Sequence, residues 1–319
     1  MSQDPPPKVE KVIQRYIAMA ESSAVPEAAE PKLTHVTGYL EATGGWDSNA
    51  NASTGDSSFL GFQLDETAVR TSSPFARVRG GVAVNHRTAA HWSLVGRGNA
   101  AYRHNPDASF IDTAQGDVYA GARYLDEREL FRFWVQGYRV NANSDLNNQG
   151  GGVLADWRQL VGERDHWGLS GRLFAIRYAE VLKIQDVDQM TAGLSYVHRF
   201  GGDGERTVGV TALGGFDFAV EQESPFDRNF VGARLSAGSA LTESISLTAN
   251  VGWLHSKYGG KFFGGNRVDN RYDGTLALEW RPLQNWSVRP ELSYTSNASD
   301  VDLYDYNRFV GALTIRRDF

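Results

Sequence analysis

The chain contains no cysteine among its 319 residues, so no disulfide can brace it. It also lacks any run of the 18 or more apolar residues that a membrane-spanning helix needs. Lysines and arginines together number 32, against 38 aspartates and glutamates, which gives a net charge of −6. A nucleic-acid-binding protein presents a basic surface. We therefore expect neither a helical membrane protein nor a nucleic-acid partner.

Catalytic motifs are missing as well. The sequence has no H-E-x-x-H, Walker A or G-x-S-x-G motif. Its histidines do not accompany serine and aspartate at a spacing typical of a catalytic triad. These histidines are His35, His86, His91, His104, His166, His198 and His255. We expect no enzyme activity, no metal site and no cofactor.

The sequence does have a regular alternation of apolar and polar residues, in segments of roughly 10–15 residues, from His35 to Phe319. This pattern is typical of a transmembrane β-barrel, in which only every second strand residue touches lipid. It predicts fourteen strands, an even number. The predicted strands are His35–Gly45, Phe75–Asn85, His91–Arg103, Ala114–Tyr124, Leu130–Asn141, Gly151–Val161, His166–Tyr178, Gln189–Phe200, Arg206–Val220, Asn229–Ala240, Ile245–His255, Arg271–Arg281, Trp286–Thr295 and Tyr306–Phe319.

The connections between these strands alternate between short and long. Short turns include LDERE, LTES and PLQN, whereas the segments 47–73 and 256–270 are long. In outer-membrane barrels the short turns are periplasmic and the long loops extracellular. The sequence therefore predicts an all-β, single up-and-down antiparallel barrel in a Gram-negative outer membrane, with both termini in the periplasm. A soluble β-sandwich would explain the alternation but not the order of the loops.

The two-residue period assigns side chains to two faces. Charged residues on the lipid face at mid-membrane cost about 2–4 kcal/mol, so the charged face must point inward. The predicted pore-lining residues are Arg77, Arg79, Arg97, Asp117, Arg123, Arg132, Asp156, Arg158, Arg172, Arg234, Glu279, Arg281, Arg289 and Glu291. The predicted lipid-facing residues are Val208, Val210, Leu276, Leu278, Val288 and Leu292.

Aromatic residues collect near the predicted strand ends, where amphipathic rings favour the membrane–water interface. The predicted girdle at the periplasmic rim consists of Trp92, Phe131, Trp167, Trp280, Trp286 and Phe319. The predicted outer rim consists of Trp253, Tyr178, Phe218 and Tyr294.

Three parts of the chain leave alternatives open. Interior arginine–carboxylate pairs are either structural bracing or a selective path for an anionic or polymeric solute. The run FLGFQLDE (Phe59–Glu66) forms either an external hairpin or a constriction of the pore. Residues 1–34 carry an amphipathic helix, Lys8–Ser22, and a linker; the helix either packs on a preceding repeat domain or plugs the lumen. Residues 35–319 make the barrel.

Three motifs resemble one family. GGWDSNAN (Gly44–Asn51), the last hairpin (Ser296–Phe319) and the helix Lys8–Glu21 are similar to the C-terminal barrel of the surface lipoprotein assembly modifier family and to related barrels preceded by tetratricopeptide repeats. The resemblance covers about residues 35–319. It implies a fourteen-stranded pore that passes a cargo, captured by a periplasmic repeat domain, to the cell surface.

The resemblance also implies partners: outer-membrane lipids, the barrel assembly machinery, which reads the C-terminal Phe319, and a protein or lipoprotein cargo. Arg317 departs from the family pattern, because an apolar residue usually stands there. No secretory signal is visible at the start, and we expect the chain to be a piece of a longer protein. The alternatives to a translocation pore are a channel for small solutes or exopolysaccharide, and a sealed barrel that only anchors its parent chain.

Overall fold

A computed structural model describes residues 33–201 and 206–319. They form a closed antiparallel barrel of fourteen strands, which confirms the predicted fold class. The barrel strands are β1 (Thr34–Asp47), β4 (Ser73–Arg87), β5 (Trp92–His104), β6 (Thr113–Leu125), β7 (Glu129–Ala142), β8 (Asp145–Val161), β9 (Asp165–Tyr178), β10 (Val187–Phe200), β11 (Arg206–Ala219), β12 (Arg228–Ala240), β13 (Ile245–Tyr258), β14 (Val268–Leu283), β15 (Trp286–Ser299) and β16 (Tyr306–Asp318). A two-stranded hairpin, β2 (Ser58–Phe59) and β3 (Phe62–Gln63), lies in the first long loop.

Within the described ranges, the remaining helices are four short 3₁₀ helices in the loops, Glu66–Ala68, Ser109–Ile111, Glu180–Gln185 and Asp302–Tyr304. Among the described residues, no helix is both long and apolar enough to cross a membrane. The predicted helix Lys8–Ser22 and its linker lie outside the described residues, apart from residues 33 and 34.

The largest difference from the predicted strands concerns β8. It begins at Asp145, six residues before the predicted start at Gly151. A two-residue turn replaces the longer loop that was expected there. Its residues, Asn143 and Ser144, both adopt positive φ angles, 47° and 74°. Asparagine tolerates this left-handed region better than most residues, so it permits a tight hairpin. The polar run DLNNQGGG lacks the apolar alternation that marks a strand, which is why the sequence did not reveal it.

Closure of the barrel depends on β1, which pairs with β16 on one side and with β4 on the other. The seam between β1 and β16 runs from Tyr39 opposite Asp318 to Asp47 opposite Val310. Asp47 is fully buried at the end of this seam. Its carboxylate accepts hydrogen bonds from Arg103 of β5 at 2.7 Å and from Arg308 of β16 at 2.6 Å. One carboxylate thereby connects strands on both sides of β1.

The residues after Asp47 fasten the first loop to the same seam. Asn49, also fully buried, donates from its side-chain amide to the carbonyls of Ser53, at 2.8 Å, and Asn307, at 3.1 Å. Asn51 donates to the carbonyl of Val69 at 2.7 Å. The D-S-N-x-N element in GGWDSNAN is therefore a network that holds the loop onto the closed edge.

The first loop also contacts the loop between β13 and β14. Phe59 of the β2–β3 hairpin packs edge-on against Phe263, with ring centroids 4.9 Å apart. In the second loop Arg267 is nearly buried, forms an ion pair with Asp269 at 2.6 Å and stacks on Tyr304 at 3.4 Å. The long loops thus form a packed layer at one end of the barrel, and the run Phe59–Glu66 contributes a hairpin to it.

Strand register separates the two faces of the barrel wall. Leu276 of β14 lies directly opposite Leu292 of β15, and both are about half exposed on the outer face. The adjacent Thr275 lies opposite Asn250 and Ser293 on the other face. Because successive side chains of a strand point to opposite faces, one wall carries apolar residues and the other polar ones.

The outer face generates a prediction about insertion. Leu276→Arg should make folding into lipid vesicles less favourable by about 2–4 kcal/mol, the cost of a cation at the bilayer midplane. The folded fraction should fall accordingly. Thr275→Arg, one residue away on the inner face, should fold nearly as the unchanged chain does. Heat-modifiable migration on gels measures the folded fraction. Equal folding of the two variants would contradict the assignment of faces.

A second prediction concerns the seam. Asp47→Asn should lower the free energy of unfolding by about 3 kcal/mol, because two guanidinium groups lose their buried counter-charge. Asp188→Asn is the control: its ion pair with Arg177 is exposed, and such pairs contribute about 0–1 kcal/mol. Urea unfolding in detergent measures both. If Asp188→Asn lowered the free energy of unfolding as much as Asp47→Asn, a special role for Asp47 in closure would be contradicted.

Candidate channel interior

A cavity of about 650 Å³ lies within the barrel. Residues of ten consecutive strands, β5 to β14, line it. Only the inside of a closed ring is shared by so many strands, so the face that carries these side chains is the interior. The polar face of the sequence pattern is therefore the inner face.

The cavity is rich in positive charge. Its lining includes six arginines but only two aspartates. The six arginines are Arg97, Arg132, Arg172, Arg228, Arg234 and Arg271, and the aspartates are Asp156 and Asp273. Such an excess attracts anions, since clefts lined by one sign of charge concentrate ions of the opposite sign.

Some of these arginines are neutralised and others are not. Arg132 pairs with Asp156 at 2.8 Å, and Arg234 pairs with Asp273 at 2.9 Å. Arg228 pairs with Asp217 at 2.6 Å. Within residues 33–201 and 206–319, no carboxylate forms an ion pair with the other three, Arg97, Arg172 and Arg271. These three guanidinium groups bring uncompensated charge into the cavity.

Aromatic rings hold two of the three unpaired guanidinium groups in place. Arg97 lies over the ring of Tyr119, 4.0 Å from its centroid, and Arg172 lies 3.9 Å from the centroid of Phe174. Arginine suits this arrangement because its planar, weakly hydrated group stacks well on aromatic faces. Each contact contributes about 0.5–2 kcal/mol, depending on desolvation.

The rings in turn lie against glycines of the neighbouring strand. A Cβ atom on Gly152 would stand 2.6 Å from the Phe174 ring, and one on Gly215 would stand 2.6 Å from the ring of Phe230. Only glycine leaves room there, so the ring lies flat on the wall and the arginine stacks above it. Five such stacks occur in the described residues: Gly45–Phe75–Arg103, Gly81–Tyr39–Arg316, Gly121–Trp134–Arg97, Gly152–Phe174–Arg172 and Gly215–Phe230–Arg228.

The structure divides the fourteen predicted pore-lining residues into two groups. Those that line the cavity are Arg97, Arg132, Asp156, Arg172 and Arg234. The others share their face by strand register but lie outside the cavity: Arg77, Arg79, Asp117, Arg123, Arg158, Glu279, Arg281, Arg289 and Glu291. The last four form ion pairs along their own strands, Arg281 with Glu279 at 2.6 Å and Arg289 with Glu291 at 3.3 Å.

Several interior residues were missed from the sequence. Arg228 lies one residue before the predicted start of its strand. Trp134 was overlooked because aromatic residues were assigned to the rims. Its parity with Arg132 and Gln136 on β7 places it on the inner face, and that spacing is visible in the sequence.

By register, the predicted rim aromatics lie on the outer face, except for Tyr178. Trp92 stands opposite Tyr124, with ring centroids 5.3 Å apart. Tyr178 is the last residue of β9 and so lies at a rim, but it lies six residues after Arg172, an even spacing that puts its side chain on the inner face. Arg317, unusual for its position, extends over the rings of Trp286 and Phe319 at 5.5 and 5.0 Å.

Known proteins are similar to this chain in fold but not in sequence. The sequence matches no protein-family profile and no curated protein. The fold is similar to that of the outer membrane channel DcaP of Acinetobacter baumannii, with a TM-score of 0.50 and 10% identity over 90% of this chain and 97% of that chain. OmpT, an outer membrane protein of Vibrio cholerae, gives a TM-score of 0.47 and 10% identity over 92% and 100% of the two chains. A bacterial polysaccharide outer membrane secretin gives 0.45 and 11% over 89% and 98%. At such low identity the likeness shows a shared outer-membrane barrel fold and nothing finer.

The stacks generate a prediction about stability. Gly152→Ala should lower the free energy of unfolding by about 1–3 kcal/mol, because the added methyl group would overlap both the backbone carbonyl of Leu173 and the ring of Phe174. Gly171→Ala is the control, since nothing lies within 4 Å of a Cβ at that position. It should change stability by no more than about 0.5 kcal/mol. Urea unfolding in detergent measures both, and equal losses would show that the wall does not require glycine at position 152.

Proposed function

We propose that this chain is a channel of a Gram-negative outer membrane with an interior that favours anions. The observation that carries the proposal is the arginine excess in the cavity, together with the guanidinium groups that have no carboxylate partner in the described part of the chain, Arg97 and Arg172 among them. Charge of one sign in a confined, low-dielectric space discriminates between ions by sign.

Placement in a membrane is supported by the outer face. Side chains such as Leu276, Leu292 and Val251 are exposed there to about half or more of their surface. A soluble protein rarely exposes so continuous an apolar surface, whereas a lipid bilayer covers it. With the short turns on the periplasmic side, both ends of the barrel segment face the periplasm.

The cargo is a finer question. The family resemblance supports a pore for surface display of a protein or lipoprotein, with a repeat domain before residue 35 and with the barrel assembly machinery as a partner in biogenesis. A channel for small solutes or exopolysaccharide is the second candidate. The aromatic rings that line the cavity favour it, because rings stack on sugars and on other planar solutes. The third candidate is a sealed anchoring barrel.

Conductance separates an open, anion-selective channel from a sealed barrel. In planar bilayers with a salt gradient, the unchanged chain should show single-channel steps and a reversal potential on the anion-selective side. The double variant Arg97→Gln, Arg172→Gln should move that potential towards cation selectivity. Arg177→Gln, on the same strand as Arg172 but on the outer face and paired with Asp188, should leave it unchanged.

Two results would contradict the proposal. Absence of steps, also after removal of residues 1–32, would favour a sealed barrel over any pore. Cation selectivity of the unchanged chain would show that the acidic residues outside the cavity dominate the path.

A further inference from the structure

We infer that one segment of the inner wall is a binding site for a carboxylated sugar chain, such as an oligomer of uronic acids. The segment, here called the acid-sugar wall, comprises Arg97, Tyr119, Trp134, Leu154 and Arg172. Its biological use rests on the proposed channel function, but the binding itself does not, and the test below keeps the two apart.

The five side chains form one continuous surface. Arg97 of β5 lies directly opposite Tyr119 of β6, and the Tyr119 and Trp134 rings meet edge to face at 6.1 Å. Trp134 of β7 lies opposite Leu154 of β8, which lies opposite Arg172 of β9. All five line the same cavity. The acid-sugar wall therefore has an aromatic and aliphatic centre and a guanidinium group at each end.

Both ends are free to bind a carboxylate. Neither arginine forms an ion pair within the described ranges, and each is positioned by a ring rather than by a counter-charge. A guanidinium group recognises a carboxylate through two parallel hydrogen bonds, which are stronger than bonds between neutral groups.

The separation of the two ends favours an oligomer. Arg97 and Arg172 are four strands apart, which corresponds to roughly 19 Å along the wall at about 4.8 Å per strand. Arg97 extends over Tyr119 towards Trp134, 5.8 Å from the centroid of that ring, so its guanidinium group lies nearer to Arg172 than the backbone spacing alone gives. A chain with a carboxylate on successive rings can occupy both ends at once.

The surroundings favour a sugar over a simple aromatic acid. Ser170, Gln189 and Thr191 line the same cavity and offer hydroxyl and amide groups. Gln136 donates a hydrogen bond at 2.6 Å to the hydroxyl of Tyr119, which fixes that ring. Polyhydroxylated rings need such partners in addition to an aromatic surface, because each buried hydroxyl without a hydrogen bond weakens binding. An aromatic acid needs only the ring and the charge.

Isothermal titration calorimetry of the full chain in detergent tests the inference. The probes are tetragalacturonate, the neutral maltotetraose, and benzoate. We expect tetragalacturonate to bind and the other two to bind at least tenfold more weakly. The double variant Arg97→Gln, Arg172→Gln should weaken tetragalacturonate binding at least tenfold, and Trp134→Leu should weaken it as well. Arg177→Gln should bind as the unchanged chain does.

Folding of every variant is checked first by heat-modifiable migration, and each single arginine variant replaces the double variant if the latter does not fold. The inference is overturned if tetragalacturonate does not bind, if maltotetraose or benzoate binds equally well, or if the arginine variants retain full affinity. Calorimetry requires no conductance. Binding without single-channel steps would therefore refute the channel and leave the acid-sugar wall intact, whereas anion-selective steps without binding would do the reverse.

Discussion

Every strand of the ring is hydrogen-bonded on both sides, and the pairing of β1 with β16 completes that condition. A bilayer offers no hydrogen-bond partners, so an open edge would leave a row of unsatisfied backbone groups in an apolar medium. Closure also fixes the side chains. Register couples the faces of neighbouring strands, so a slip of one residue would turn the interior arginines towards the outside. At the seam itself, the buried carboxylate of Asp47 and the side chain of Asn49, which donates to the carbonyl of Asn307, stabilise this closure.

Glycine, aromatic and arginine residues together determine what the closed wall presents inward. A ring such as Phe174 occupies the space over Gly152 and lies flat, so its free face is available to Arg172. The guanidinium group gains a favourable surface without a carboxylate and keeps its charge. The same arrangement recurs at Phe230 and Arg228, although there Asp217 neutralises the charge. Bracing and solute attraction are thus not exclusive: whether a carboxylate is near decides which of the two an arginine serves.

Much of the fold could be predicted from the sequence, because a period of two residues is visible in a single chain. The number of strands, their order around the ring and the parity that separates Leu276 from Thr275 all follow from it. The start of β8 did not, because its first residues lack alternation and a left-handed turn at Asn143 replaces the expected loop. The inward orientation of Tyr178 was not predicted, because aromatic residues occur both at rims and in interiors, and only parity distinguishes their faces.

The candidate site was predictable in kind but not in place. The sequence indicates which charges point inward, yet it does not show how far each strand is staggered against the next. Arg172 and Arg289 have equivalent patterns, but only Arg172 lines the cavity. The same stagger places Arg97 opposite Tyr119, so that the guanidinium group stacks on a ring instead of pairing with a carboxylate.

The motif that carries the family resemblance has a structural role of its own. In GGWDSNAN, Asp47 forms ion pairs across the seam, and Asn49 and Asn51 bind the backbone of the first loop. Any barrel that closes between its first and last strands in this way benefits from the same residues, whatever passes through it. The motif is therefore evidence for a way of closing a ring, and it carries little information about cargo. That information lies in the inner wall, which a solute would meet. There Arg132 and Arg234 are neutralised by aspartates, whereas Arg97 and Arg172 stack on rings and keep their charge.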